Sequence, residues 1–209
     1  MIKSQISVSL DGFVAGPNQS IEHPLGEGGE HLHDWALKTA AWRESHGYED
    51  GEHGPDSDVI AAAVAGIGAY VMGRRMFGGG EGPWDETWKG WWGDEPPFHV
   101  PVFVLTHHAR APLEMQGGTT FHFVTDGIEA ALEQARAAAG TGDVMVAGGA
   151  SAIRQYLAAG LLEELQLHIV PVLLGGGERL LDDAGRPRLE PTEVVGSPAV
   201  THITYRVHR

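Results

Sequence analysis

Two strand-to-helix junctions carry the residue types that bind anions. In "VMVAGGASAIRQYL" (144–157) an apolar run meets Gly148 and Gly149 and passes straight into a helical pattern. Glycine lets another group approach the backbone closely, and a helix start presents unpaired N–H donors, so a phosphate can lie there. A tight turn with no ligand is the alternative. In "AYVMGRRMF" (69–77) a second strand ends at Gly73, and Arg74 and Arg75 follow it directly. Guanidinium groups grip phosphate bidentately; two ordinary surface arginines would read the same way. The chain has neither a G-x-x-x-x-G-K-[ST] loop nor a G-x-G-x-x-G fingerprint, which argues against P-loop and ordinary Rossmann proteins. Two separate glycine sites suit a dinucleotide lying across strand ends in another α/β fold.

Other chemistry is restricted by composition. With no cysteine in 209 residues, disulfides, thiolate catalysis and cysteine-held metals are excluded. Twelve histidines raise the question of a metal. His31 and His33 stand two apart in a helical segment and His107 and His108 are adjacent, so each pair diverges and no metal is expected. The net charge of −14 argues against nucleic-acid and anionic-membrane surfaces, so any anion site has to be local. The N-terminal stretch "IKSQISVSLDGFVAG" alternates like a strand and contains polar residues throughout, unlike a signal peptide's apolar core, and no segment reaches the roughly 18 apolar residues of a membrane span. A cytoplasmic protein is the expectation.

The elements that would position these residues alternate between strand and helix, as in a layered α/β domain. The first strand alternates Ile6, Val8 and Leu10 with Ser7, Ser9 and Asp11. Segments 69–73, 102–106, 121–125, 143–147 and 165–174 supply further strands. Ile203, Tyr205 and Val207 mark a last antiparallel or edge strand. One helix runs from Asp126, a candidate cap, to Gly140; another follows Gly149. Two irregular regions interrupt the pattern: about 17–56, with a helix around 31–44, and the Trp-, Gly- and Pro-rich stretch 78–101. No linker divides the chain, which fits one domain over residues 1–209.

Taken in order, "VSLDGFVAG" (8–16), "VMGRRMF" (71–77), "VFVLT" (102–106), "VMVAGGASAIRQYL" (144–157) and "IVPVLLGGGERLL" (169–181) resemble the dihydrofolate-reductase-like superfamily. The "PVLLGGG" segment is especially similar to the C-terminal reductase domain of the bifunctional riboflavin-biosynthesis deaminase-reductase. The resemblance implies a three-layer fold with a mostly parallel sheet of about eight strands flanked by helices, and NADPH across the strand ends. It places Gly73, Arg74 and Arg75 at the adenosine-side phosphates and Thr106 near the adenosine. Gly148, Gly149, Ala150 and Ser151 fall under the pyrophosphate, and Val8, Ala15 and Gly16 beside the nicotinamide. The family's threonine after the basic pair is Met76 here.

A reductase also needs a proton source. Asp11 in "SLDG" aligns with the end of the first strand, where a turn role before Gly12 competes. Asp34 in "HLHDWALKT" falls on the helix that carries the carboxylate of dihydrofolate reductases, and a solvated helix face competes there. The resemblance implies hydride transfer to a small heterocycle such as a pyrimidine or pteridine, in the manner of the reductase that acts on a ribosylamino-pyrimidine phosphate in riboflavin synthesis. The lack of cysteine leaves no place for a zinc deaminase partner. A non-catalytic NADPH-sensing module and a flavin-binding oxidoreductase are the competing readings. Trp84, Trp88, Trp91 and Trp92 could wall a flat substrate or form a small core under the loop. A homodimer is expected from the family and from the apolar closing strand.

Overall fold

The computed structural model describes residues 1–208. The chain begins with β1 (Ile2–Ser9) and β2 (Phe13–Ala15), continues through α1 (Asp34–Leu37), α2 (Ala40–Ser45) and α3 (Pro55–Val64), and enters β3 (Ile67–Gly73) and α4 (Arg74–Phe77). Then come β4 (Pro101–Leu105), β5 (Leu113–Glu114), β6 (Thr120–Val124), α5 (Gly127–Ala139), β7 (Asp143–Gly148) and α6 (Ala150–Ala158). The last elements are β8 (Glu164–Val170), β9 (Glu178–Arg179), β10 (Arg188–Gly196) and β11 (Thr201–His208).

Nine strands form one sheet in the order β10-β11-β8-β1-β7-β3-β4-β6-β5, with β2 and β9 as a separate ribbon. The strands from β8 to β6 run parallel, while β11, β10 and β5 join antiparallel. Parallel strands must be covered on both faces, and each face here has its own cover. Val71, Phe103 and Val146 meet α5 and α6 on one side. On the other side Met72, Val104 and Phe121 meet the tryptophan-rich loop, and Val170 meets Leu32, Trp35 and Ala36. Three layers result. Among the described residues no helix is long and apolar enough to cross a membrane.

Several local expectations change. The serine face of β1 is buried, because Trp35 covers it and donates to Ser7 Oγ at 3.1 Å. The strand stops at Ser9, leaving Leu10 exposed. The helix expected around 31–44 is broken into a single turn at Gly29–Leu32, α1 and α2, where Thr39 Oγ1 caps α2 by accepting from Trp42 N. Helix α3 was concealed by the glycine-rich stretch ahead of it and starts on Pro55, whose fixed φ suits a first turn. Asp126 sits at the start of α5 but makes no capping bond. β8 ends at Val170, before Pro171. The closing strand β11 lies inside the sheet; the edge is β10, a polar strand that contains Pro191, Glu190 and Glu193.

A buried polar chain crosses the β8–β11 pair. His168 and His202 share an Nδ1···Nδ1 hydrogen bond of 2.7 Å, His202 Nε2 meets Asp56 Oδ1 at 3.1 Å, and His168 Nε2 meets Gln5 Oε1 at 3.2 Å. The indole of Trp35 packs against both imidazoles, with centroids 4.8 and 4.9 Å away. Burial, then His202 and His33, push the His168 imidazole down to about 3, so it is neutral at physiological pH.

Candidate functional site

The middle of the sheet is incompletely closed. β1 pairs with β8 from Lys3 to Ser9, but with β7 only at Ile2–Val144 and Lys3–Met145. Past that point Ser4 Oγ donates to Val146 O at 2.8 Å and the β1–β7 ladder goes no further. From β1 the chain crosses to β3; from β7 it returns through α6 to β8. Crevices at such reversals, outside the carboxyl ends of parallel strands, are where α/β sheets bind ligands.

The two glycine junctions meet there. Met72 of β3 pairs with Gly148 of β7, and a Cβ on Gly73 would stand 3.6 Å from both Gly148 O and Gly149 N. Gly73 in turn pairs with Leu105, which brings Thr106 alongside. Gly148 has φ +128°, a conformation that favours glycine, and Met76 Sδ would lie 3.4 Å from its Cβ. Met76, in the place of the family's threonine, therefore packs over the glycine. Gly149 has φ −71°, which any residue adopts, yet a Cβ there would meet nothing within 4 Å. The peptide bond between the two glycines is cis. Ala150 and Ser151 begin α6, and no side chain caps their end of it.

The two arginines separate. Arg74 turns inward: its Nη1 donates to Thr106 Oγ1 at 3.4 Å, and its guanidinium lies 3.7 Å from the centre of the Trp84 ring. Its Nε and Nη2 are buried without a partner among the described residues. Arg75 is exposed and reaches Glu81 and Glu178 at 3.8 and 3.7 Å. Glu178 also pairs with Arg154 of α6 at 2.7 Å, a cross-link that the sequence reading missed because β9 is only two residues long. A cleft of about 440 Å³ opens beside Arg75, between Gln19–Pro24 and Gly78–Glu81, with Trp91 on its wall.

Val8 is buried in the main core near the open end of β1. Ala15 and Gly16 are buried beneath two crossing segments: Gly16 N donates to Leu25 O at 2.8 Å, and Gly177 approaches Ala15 O so closely that a side chain there would collide. That close approach is what the "GGG" of "PVLLGGG" permits.

The two candidate carboxylates do different things. Asp11 accepts from Ser9 Oγ at 2.6 Å, Leu174 N at 3.2 Å and Gly175 N at 2.7 Å. The Ser9 hydroxyl foremost, with the Gly175 and Leu174 amides, holds its carboxyl down at about 2. It is therefore an anion that ties the 174–175 backbone to the end of β1. Asp34 faces solvent and pairs with His31 at 3.0 Å, raising that imidazole's pKa. It is not among the residues brought together at the crevice.

The tryptophans divide likewise. Trp84, Trp88 and Trp92 pack against Phe77, Phe121 and Phe123 as the second cover of the sheet, and Trp91 alone is exposed. Among the described residues no group of three His, Asp or Glu side chains is arranged to hold a metal ion.

A family model described as the RibD C-terminal domain matches residues 1–202. No curated protein matches the sequence. Among solved structures, one assigned provisionally to riboflavin biosynthesis, from Shewanella sp. PV-4, is 20% identical and covers 100% of this chain and 99% of its own, with a TM-score of 0.62. A pyrimidine reductase-like protein from Corynebacterium diphtheriae is 13% identical, covers 100% and 92%, and has a TM-score of 0.54. Dihydrofolate reductase from Enterococcus faecalis, complexed with NADP(H) and RAB-propyl, is 15% identical, covers 100% and 97%, and has a TM-score of 0.57. At these identities the likeness shows a shared dihydrofolate-reductase-like fold.

Proposed function

Because the chain belongs to the RibD C-terminal domain family, we propose that it is an NADPH-dependent reductase of a small heterocycle of the pyrimidine or pteridine class. One observation carries this reading: both glycine junctions converge where β1 and β7 no longer pair with each other, with open space over Gly149. The residues fit the cofactor. Gly149 leaves room for a pyrophosphate at the uncapped start of α6, and Arg74 offers buried donors that none of the described residues satisfies. An anion gains both the unpaired amides and the positive end of the helix dipole at such a place.

When bound, NADPH supplies a hydride. The chain's own contributions are positional. Ala150 and Ser151 present their amides, Thr106 steadies Arg74, and Asp11 fixes the backbone of 174–175 beside β1. Asp11 is held ionised and Asp34 faces solvent, so neither is placed to protonate the reduced substrate, and we assign that proton to water. The same observation favours the second reading, a protein that binds NADPH without turnover, because neither Asp11 nor Asp34 is poised to donate a proton there.

Titration of the purified chain with NADPH, followed by its oxidation in the presence of candidate pyrimidines and pteridines, separates the two. Binding with substrate-dependent oxidation supports the reductase. Binding with no oxidation by any candidate supports the sensing module, and no binding refutes both.

A further inference from the structure

Trp84 links four parts of the molecule, and the proposed function gives it no role. Its Nε1 donates to His108 O at 2.7 Å, which ties the tryptophan-rich loop to the segment after β4. One face carries the Arg74 guanidinium at 3.7 Å, and Arg110 stands 5.4 Å from the same ring. The ring also packs edge-on against Phe77 and Phe123, so it cannot shift without disturbing the cover of the sheet.

The two guanidiniums short of partners lie together. Arg110, whose side chain is only 3% exposed, has Glu86 at 3.4 Å but leaves Nη1 buried with no acceptor among the described residues. Arg74 leaves Nε and Nη2 in the same condition, and among the described residues no carboxylate pairs with it directly. This is not for want of acid, since the chain has 28 Asp and Glu residues against 14 Lys and Arg. Burial and the neighbouring Arg110 both push the Arg74 pKa down, against a smaller opposite pull from Glu81. Two crowded cations with three unsatisfied buried nitrogens favour a ligand with two negative charges and several acceptor oxygens. A phosphate monoester has both; a hydroxyl has neither.

Resting on the NADPH reading, we propose that Trp84 is a positioning residue: it holds Arg74, backed by Arg110, as a paired-guanidinium receptor for the phosphate monoester on the cofactor's adenosine ribose. The indole face fixes the direction of the Arg74 fork, and Thr106 sets its rotation. Arg75, at the start of the same short helix, points to Glu81 and Glu178 and does not belong to this receptor.

The test uses the full chain and variants Trp84→Phe, Trp84→Leu and Arg110→Met, each checked for a native circular dichroism spectrum. Dissociation constants are measured for NADPH, NADH, adenosine 2′-monophosphate and adenosine 5′-monophosphate. Trp84→Leu and Arg110→Met are expected to cut the preference for NADPH over NADH by at least about tenfold, the loss of roughly one charge-assisted hydrogen bond. NADH affinity should stay within about threefold, and the 2′-monophosphate should weaken in step with NADPH. Trp84→Phe, which keeps a ring under the guanidinium, should retain the preference. If Trp84→Leu does not fold, Arg110→Met with Trp84→Phe still decides. Equal weakening of both dinucleotides, or an unchanged preference in the Leu and Met variants, overturns the positioning role alone. A wild-type chain that binds neither dinucleotide overturns the NADPH reading and the receptor with it.

Discussion

Replacing Gly149 by valine tests the crevice most directly. The residue has φ −71° and ψ −168°, extended backbone that valine adopts without strain, and a Cβ there meets no atom within 4 Å. Stability should consequently change by no more than about 1 kcal/mol, the range of a surface substitution without strain or cavity. Binding should respond very differently. The isopropyl group would occupy the space above the amides of Ala150 and Ser151, where the pyrophosphate is proposed to rest. Two hydrogen bonds to a charged group are worth about 1.5–3 kcal/mol each, so their loss amounts to roughly 3–6 kcal/mol. That corresponds to a drop in NADPH affinity of about two to four decades. Thermal unfolding followed by calorimetric titration reads both quantities on one preparation. A Gly149→Val protein that melts normally and binds NADPH within about threefold of wild type would refute the reasoning, and the glycine pair would be a turn and nothing more.

Four other outcomes follow from the same geometry. Gly148→Ala, at φ +128° with Met76 Sδ 3.4 Å from the new methyl, should cost about 1–3 kcal/mol of stability in urea unfolding, unlike its neighbour; an unchanged midpoint contradicts this. Asp11→Ala should expose the 174–177 segment to limited proteolysis, while the wild-type pH–rate profile between pH 5 and 8 shows no titration of Asp11, whose pKa is about 2. The native state resists protonating His168, so its contribution to stability is complete above the ordinary pKa of 6.5 and is lost as pH falls toward about 3; urea unfolding should steepen with acid by up to about 1.4 kcal/mol per pH unit for that proton, and His168→Gln should remove that share. Light scattering at micromolar concentration should give about twice the 22.3 kDa chain mass, and a monomer mass rejects the homodimer.

What could be read in advance was whatever depends on local pattern. Apolar runs marked β3, β4, β6 and β7, and a 3.6-residue period marked α5 and α6, because burial on one or both faces leaves a direct imprint on composition. The glycine junctions were legible for the same reason. Their adjacency was not, since it follows from β3 and β7 being neighbours in space though about 75 residues apart in sequence. β10 went unnoticed because an edge strand needs few apolar residues and gains from charge and proline. The roles of Asp11 and Arg74 depended on partners at Gly175 and Trp84, which no local window contains. Asp34 illustrates the converse: its place in the sequence matched a functional pattern, but its side chain faces water beside His31.

The short β1–β7 ladder divides the sheet into two plates, β10-β11-β8-β1 and β7-β3-β4-β6-β5. Only the second plate is a continuous piece of chain; the first is assembled from both ends. The first takes its strands from residues 2–9 and 164–208, the second from residues 67–148. A cut in the tryptophan-rich loop would therefore leave strands of both plates on each fragment, and neither fragment would own a complete layer. The polypeptide must pass from one plate to the other twice, and both passages flank the crevice. Assembly of the molecule and assembly of its binding place are thus one event: a chain in which the plates have not met has no crevice at all, however well each has formed.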